Sequence, residues 1–354
     1  MLLNSSNEWG KLREVIVGDP TNTVFPKTTE SVDLSFRLFY HDNLYEDNNE
    51  IKVKKSTNYQ DICFVSKQIQ EERLEDIKVF IFTLENLGIT VYRPNQTKLG
   101  MIANNYWSTT NSTAGTVRDQ VLIYKNNIVE TSPQVRCRYF ENEALYDIFY
   151  EKFNKGCNWY QMPKSRMRDE NFDKSYICKA FESNINGLYE IMFDGAQCLR
   201  FNDKILVNCS TKNHDLGYEW LNRLFPNTLY KVRFTDSHLD GTLMPIDDGV
   251  MIAGPKFYKK YTKEDLPLWL QNWDIICLDD YDYSDAQYMR LASETIFVNC
   301  LSLGDKTVII NSCAKNLRKK LELRGFTVIP LNMRHDRIYG GSFHCITLDL
   351  VRDN

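Results

Sequence analysis

The feature that most constrains this chain is a recurring unit hidden under dissimilar sequence. Five times a helical stretch is followed by a short apolar strand. Residues 69–87 carry Leu74, Ile77, Ile81 and Leu84 at helical spacing, stop at Gly88 and lead into Ile89-Thr90-Val91-Tyr92. Residues 144–153, with Leu145, Ile148 and Phe149, stop near Gly156 before Trp159-Tyr160-Gln161-Met162. Residues 216–225 stop at Pro226 before Leu229-Tyr230-Lys231-Val232. A capping-box pattern, Thr262 with Asp265, predicts a helix over 262–269, ahead of Ile275-Ile276-Cys277-Leu278. Residues 317–323 stop at Gly325 before Phe326-Thr327-Val328-Ile329.

Hairpin signals alternate with these units, each a pair of apolar runs around Asn, Asp or Gly. Val121-Leu122-Ile123 faces Ile128-Val129 across Asn126-Asn127. Cys198 to Phe201 faces Ile205-Leu206-Val207 across Asn202-Asp203. Leu243 to Ile246 faces Val250-Met251-Ile252 across Asp247-Asp248-Gly249. Cys300 to Leu303 faces Val308-Ile309-Ile310 across Gly304-Asp305. Four hairpins serve five helix–strand units. The missing one is supplied by the two ends of the chain: residues 345–351 as its first strand, and residues 9–18, with Leu12, Val15, Ile16 and Val17, as its second. The expectation is therefore an α/β fold of five ββαβ units around a common axis, closed into a ring by its terminal strands. One such unit cannot bury its apolar face alone; five in a ring can. The 354 residues, long for one simple core, are then a single domain spanning 1–354.

Composition narrows the function classes. The net charge is −4 with no cationic block, which argues against a nucleic-acid partner. No apolar run is long enough to span a bilayer, and Met1 to Ser6 does not read as a signal peptide, so a cytoplasmic protein without a membrane partner is expected. The ten cysteines then read as reduced thiols. No Cys-x-x-Cys and no His-x-x-x-His occurs, so no metal and no cofactor is expected.

Residues with chemistry precede the hairpins. Arg118-Asp119 stands before the first, Phe193-Asp194 before the second, His238-Leu239-Asp240 before the third and Ser293 before the fourth. Gly340-Gly341-Ser342-Phe343-His344-Cys345 opens the closing one. Matching positions in a ring of repeats converge on one end of its axis. Asp119, Asp194, His238, Asp240 and Cys345 are thus expected in one pocket. Two carboxylates suit a planar guanidinium, whose fork of donors they match. A cysteine with a histidine suits nucleophilic catalysis, and a third carboxylate can orient the histidine. Taken singly, each aspartate reads as a surface or turn residue, His238 as a hydrogen-bonded structural one and Cys345 as a small buried hydrophobe.

These residues, taken in order, resemble the L-arginine amidinotransferases, the glycine and inosamine-phosphate group of the guanidino-modifying pentein superfamily. The similarity runs nearly end to end. It takes in Asn7-Glu8-Trp9, Glu14 to Gly18, Arg118-Asp119 and Arg138-Tyr139-Phe140-Glu141. Phe193-Asp194-Gly195-Ala196, Gly217-Tyr218-Glu219-Trp220, His238-Leu239-Asp240 and the Gly340 to Cys345 ending follow. The resemblance implies a five-bladed α/β propeller. It implies that Cys345 attacks the guanidinium carbon of L-arginine, that Asp119 and Asp240 hold the guanidinium nitrogens, and that His238, oriented by Asp194, protonates the departing ornithine. An amine acceptor then takes the amidino group from Cys345 in ping-pong fashion, with His238 accepting its proton and with no cofactor. Arg118, Ser293, Lys256, Ser237 and Gln197 complete the expected substrate contacts. The family includes dimers, so the state is open between monomer and homodimer.

Three departures bear on the acceptor. The family's Phe-Asp-Ala-Ala-Asp is here Phe193-Asp194-Gly195-Ala196-Gln197. Gly254-Pro255-Lys256-Phe257 stands where the glycine enzymes carry an arginine. Ser237 replaces a larger apolar residue. All three point away from glycine as acceptor and toward a specialised amine, such as a precursor of a toxin or other secondary metabolite. Residues 164–186 and 280–292 are candidate lids over the pocket, or ordinary surface insertions. Two other functions fit the same residues: a guanidine hydrolase of the deiminase or dihydrolase type, and a non-catalytic guanidine-binding module.

Overall fold

A computed structural model describes residues 1–21, 23–26, 62–64, 67–168, 189–281, 292–293 and 295–353, with backbone alone for 24–26 and 62–64. Its framework is five three-stranded sheets of one pattern: the first strand pairs antiparallel with the second, and the second pairs parallel with the third. Val121–Tyr124, Asn127–Glu130 and Asn158–Gln161 form one sheet. Cys198–Phe201, Lys204–Asn208 and Leu229–Val232 form the next. Leu243–Asp247, Val250–Ala253 and Asp274–Cys277 form the third, and Leu301–Gly304, Thr307–Asn311 and Thr327–Leu331 the fourth. The last sheet draws on both ends of the chain. Thr347–Arg352 pairs antiparallel with Leu12–Val17, which pairs parallel with Thr90–Tyr92.

A parallel pair needs a long crossover, and a helix supplies it in each unit. The largest, Lys67–Asn86, buries Ile77, Phe80 and Leu84 on the face that also carries buried Arg73 and Asp76. Burying one such apolar side chain contributes about 1.5–3 kcal/mol, so this stripe fixes the helix against its sheet. The other crossovers contain Tyr146–Asn154, Lys212–Leu224, Pro255–Lys260 and Lys315–Glu322.

The crossover of the third sheet departs from expectation. Residues 262–269 do not form one helix. The capping box of Thr262 and Asp265 is present, but it caps a three-residue 3-10 turn, Lys263–Asp265. Pro267 is the reason. It offers no N–H to a helix, and it pushes Leu266 into extended backbone (φ −78°, ψ 152°). A separate six-residue helix, Pro255–Lys260, begins directly after the hairpin.

First strands of neighbouring sheets lie side by side: Leu243–Asp247 beside Leu301–Gly304, and Thr347–Arg352 beside Val121–Tyr124. They are buried along most of their length, polar residues included. Arg200, Asp349 and Arg352 therefore meet away from water, and they meet Glu8 and Arg118. Glu8 accepts from Arg200 through both carboxylate oxygens. Asp349 accepts from Arg118, Arg200 and Arg352. Asn7 caps the turn at Trp9 and Gly10 with its side-chain oxygen, and Trp9 packs edge-on against Phe201 and Trp273. The Asn7-Glu8-Trp9 opening thus fastens the N-terminal segment to the first strands of other units. No helix among the described residues is long and apolar enough to cross a membrane.

Candidate active site

Residues that precede the first strands of the third, fourth and last sheets gather at one cleft. Cys345, His238 and Asp240 line it. Cys345 does not open a strand, as its sequence suggested. The strand starts at Thr347, and residues 343–346 form a turn closed by Ile346 N–H to Ser342 O (3.1 Å) and Thr347 N–H to His344 O (3.0 Å). The turn, rather than a pleat, aims the thiol at the cleft. Gly341 is required behind it, because a Cβ there would sit 2.5 Å from the Cys345 Cβ.

The buried thiol of Cys345 donates to Asp240 Oδ2 at 3.2 Å. Burial first, then the Asp240 and Asp119 carboxylates, push its pKa well above the ordinary thiol value. Asp240 Oδ2 also lies 2.8 Å from His344 Nδ1, and the other nitrogen of that ring meets Glu8 Oε2 at 3.2 Å. Burial opposes ionisation of Asp240, but its contacts with His344 and His238 win and lower its pKa.

His238 lies between three carboxylates. Its Nε2 donates to Asp194 Oδ2 at 2.9 Å, and its Nδ1 is 3.6 Å from Asp119 Oδ1. Burial alone would lower its pKa; Asp119, Asp194 and Asp240 outweigh this and raise it to about 9. His238 is therefore a cation at neutral pH. Asp194 is held from behind by Gln120 at 3.2 Å and Gln134 at 2.7 Å. Gln134 is itself fixed, because its Oε1 accepts from His214 Nε2 at 2.7 Å. The Nδ1 of His214 faces the backbone N–H of Ser210, so this ring is neutral, and burial lowers its pKa to about 4.

Asp119 is fixed by a residue to which its sequence position gave no role. Arg138 donates to Asp119 Oδ2 at 2.7 Å and grips Glu141 at 2.6 and 2.7 Å. This arrangement leaves Asp119 Oδ1 buried with no hydrogen-bond partner, and Asp240 Oδ1 is in the same condition. An unpartnered buried carboxylate oxygen costs about 1–3 kcal/mol or more.

The five residues expected in one pocket are thus linked through His238 and Cys345. The remaining expectations divide. Ser237, Lys256 and Ser293 line the cleft, with Ser237 and Lys256 exposed. Arg118 does not face it. Its guanidinium is directed to Thr347 O and Asp349, because a buried cation is drawn to buried anions, and only its backbone N–H approaches Cys345, at the carbonyl (3.2 Å). Gln197 is also turned away: it is buried and accepts from Asn208 Nδ2 at 3.0 Å. Both candidate lids lie largely outside the described residues.

Sequence reasoning gave no role to Arg138, Gln134, His214, Glu8, His344 or Asn299. Asn299 had a signal. It stands two residues before the strand Leu301–Gly304, as Asp119 stands before Val121–Tyr124 and Cys345 before Thr347–Arg352. The same comparison explains Gly195, where the resembled family has alanine. A Cβ at 195 would lie 2.6 Å from Val121 O and 2.8 Å from Arg118 O. Gly195→Ala is expected to push Asp119 and Asp194 apart and cost about 1–3 kcal/mol of stability, read as a lowered urea midpoint. An unchanged midpoint would contradict this packing.

Among the described residues no group of three or more His, Cys, Asp or Glu is arranged to hold a metal ion. The fold of repeated sheets has close counterparts in solved structures. The inosamine-phosphate amidinotransferase of Streptomyces griseus superposes with a TM-score of 0.86 at 27% identity, covering 100% of this chain and 97% of that one. An amidinotransferase of the saxitoxin biosynthetic pathway from Microseira wollei gives 0.82 at 26% identity, covering 99% and 98%. These neighbours define the class, an α/β enzyme of the pentein type. No protein-family model matches the chain. In sequence it is 30% identical to inosamine-phosphate amidinotransferase 1 of Streptomyces griseus over 358 residues, covering 99% of this chain and 97% of the relative. It is 26% identical to the L-arginine:L-lysine amidinotransferase of Pseudomonas savastanoi pv. phaseolicola, covering 98% and 94%. The chain belongs to the amidinotransferase family.

Proposed function

We propose that this protein moves the amidino group of L-arginine to an amine other than glycine, releasing L-ornithine. The observation that carries this reading is a pair of buried carboxylate oxygens with no hydrogen bond, Asp119 Oδ1, 3.6 Å from the His238 ring, and Asp240 Oδ1, on the carboxylate that accepts from the Cys345 thiol. A guanidinium supplies the donors that both oxygens lack, and it brings a positive charge to a site crowded with carboxylates. That charge offsets the two anions that hold the thiol protonated, so binding of arginine drives the Cys345 proton to solvent.

The thiolate then attacks the guanidinium carbon. The bond from that carbon to the ornithine nitrogen breaks as His238 delivers its proton to the leaving amine, and an amidino group remains on Sγ. His238 is now neutral. It takes a proton from the acceptor amine as the amine attacks the same carbon, and the thiolate departs. Atoms balance with no redox step, and the cycle is ping-pong. Around this site the five sheets form a five-bladed propeller closed by the terminal strands, one domain spanning 1–354, working in the cytoplasm. Glycine is disfavoured by Lys256 and Ser237, which line the cleft. The relatives named for inosamine-phosphate, for L-lysine and for the saxitoxin pathway support a specialised acceptor.

The direct test incubates the protein with arginine and a panel of amines, following ornithine and the mass of each guanidinylated product. Ornithine with an equal amount of one guanidinylated amine is expected. Citrulline, or ornithine matched by urea, would make the protein a hydrolase. No turnover and no adduct on Cys345 would make it a binding module.

The charge on His238 gives a separate prediction. Its folded-state pKa, about 9, lies above the ordinary value near 6.5. The protonated ring therefore stabilises the fold fully below about pH 6.5, and this stabilisation is lost as pH rises through 9. The shift corresponds to about 3–4 kcal/mol. The stability excess of wild type over His238→Gln, from urea unfolding, is expected to shrink across that window. A difference independent of pH would remove the charged histidine from the reading.

A further inference from the structure

Four of the five units contribute a titratable group to the site: His238 with Asp240 and Cys345 line the cleft, and Asp119 and Asp194 stand behind His238. The fourth unit places Asn299 at the cleft, two residues before its first strand. Ser293, expected in that role, shares its hydroxyl with Thr295 Oγ1 at 3.2 Å and stands outside the repeat position. Asn299 is almost fully buried, and its side chain engages the nucleophile from both ends. Its Oδ1 accepts from the backbone N–H of Cys345 at 2.9 Å and of Ser342 at 3.2 Å. Its Nδ2 donates to Cys345 Sγ at 3.1 Å and to the Asp240 carbonyl at 3.4 Å. The orientation of the amide is fixed by chemistry. The end facing two N–H groups can only be the oxygen, so the end facing sulfur is the donor.

We infer that Asn299 is a catalytic residue of this site: its oxygen holds the Cys345 turn, and its amide N–H holds the thiolate while the carbon–sulfur bond forms and breaks. The inference rests on Cys345 as nucleophile. The other side chain hydrogen-bonded to Sγ is Asp240, which disfavours its anion, and the charge of His238 is shared among three carboxylates. Among the described residues Asn299 offers a neutral donor directly to sulfur, and it does so without arginine. It is there each time the thiolate is exposed: before attack, and again when the acceptor expels it. A hydrogen bond to a charged group loses about ten- to a hundredfold in equilibrium when its donor is removed.

The amide's two ends can be separated. Asn299→Asp keeps an oxygen for the two backbone N–H groups and replaces the donor with an anion facing sulfur. Asn299→Ala removes both ends. Each variant is alkylated with iodoacetamide across a pH series in the absence of arginine, and modification of Cys345 is followed by peptide mass. Asn299→Ala is expected to lower the Cys345 alkylation rate about ten- to a hundredfold at fixed pH and to move its pH midpoint upward. Asn299→Asp is expected to do so further, with a wild-type melting curve. Should Asn299→Asp fail to fold, the pH midpoint of the alanine variant decides. A residue that only props the turn would change melting and leave that midpoint in place, and either variant with a wild-type midpoint would overturn the assignment. Because the readout uses no arginine, it stands whether or not the protein transfers amidine; failure of transfer appears separately, in the amine screen.

Discussion

Asp349→Asn is expected to destabilise the protein by about 3–5 kcal/mol, the range for breaking a buried ion pair by removing one partner. The carboxylate of Asp349 receives Arg118, Arg200 and Arg352, all buried. With its charge gone, Glu8 is left as the principal anion for three guanidinium groups, and the new amide N–H points at cations. The buried charges hold the Asp349 pKa well below the carboxylate range: burial opposes this, and the three arginines override it. The stabilisation is therefore present at neutral pH and lost on acidification toward the depressed pKa. A lowered urea midpoint at pH 7 that converges on wild type in acid is the expected pattern. Arg13→Ala is the control. Arg13 pairs with Asp353, the residue after Arg352, at 2.6 Å, but both are exposed, and no measurable change is expected. Equal effects from the two substitutions would mean that the central cluster carries no special weight.

That cluster also shows where sequence reading stops. The repeat was legible because each unit must bury an apolar strand and an apolar helix stripe, and periodicity reports burial. The same logic paired residues 9–18 with 345–351 from opposite ends of the chain, and the strands formed there are Leu12–Val17 and Thr347–Arg352. It failed at residues 262–269, where a capping box was present and Pro267 cut the helix short. It gave no role to Glu8, Arg138 and Asn299 for a different reason. A buried charged residue looks in sequence like any surface charge. Its partner lies in another unit, so no local spacing records the pair. Arg118 illustrates the converse. Adjacent to Asp119, it reads as part of the site, yet the next residue points the other way. Both lie in the turn that leads into Val121–Tyr124, and there Asp119 faces His238 while Arg118 faces the ion cluster.

The cluster and the cleft are connected. Glu8 binds both Arg200 and His344, and His344 shares Asp240 Oδ2 with the Cys345 thiol. The groups that join the chain ends therefore also set which oxygen of Asp240 remains open. Asp119 is handled in the same way by Arg138 and Glu141. In both cases one oxygen is occupied from behind, and the other makes no hydrogen bond.

From that division of labour, Cys345→Ala is expected to abolish ornithine release, by roughly four orders of magnitude or more, while arginine still binds. On the proposed reading the guanidinium is held by Asp119 Oδ1 and Asp240 Oδ1, which the substitution leaves in place. Removing Sγ takes away one small buried atom that Asp240 and Asn299 share, so the turn, tied through backbone N–H groups to Asn299 Oδ1, is expected to persist. Calorimetry with arginine should give a dissociation constant within about tenfold of the wild-type KM, and the melting curve should stay close to wild type. The wild-type protein, given arginine and no acceptor, should release one ornithine per chain and gain an amidino group on Cys345. The variant should do neither. Ornithine formed by Cys345→Ala would require direct transfer between two bound substrates, and covalent transfer would then be wrong even with the carboxylate fork right. Loss of arginine binding in a folded variant would instead move the guanidinium away from the two aspartates, and the unpartnered oxygens would need another occupant.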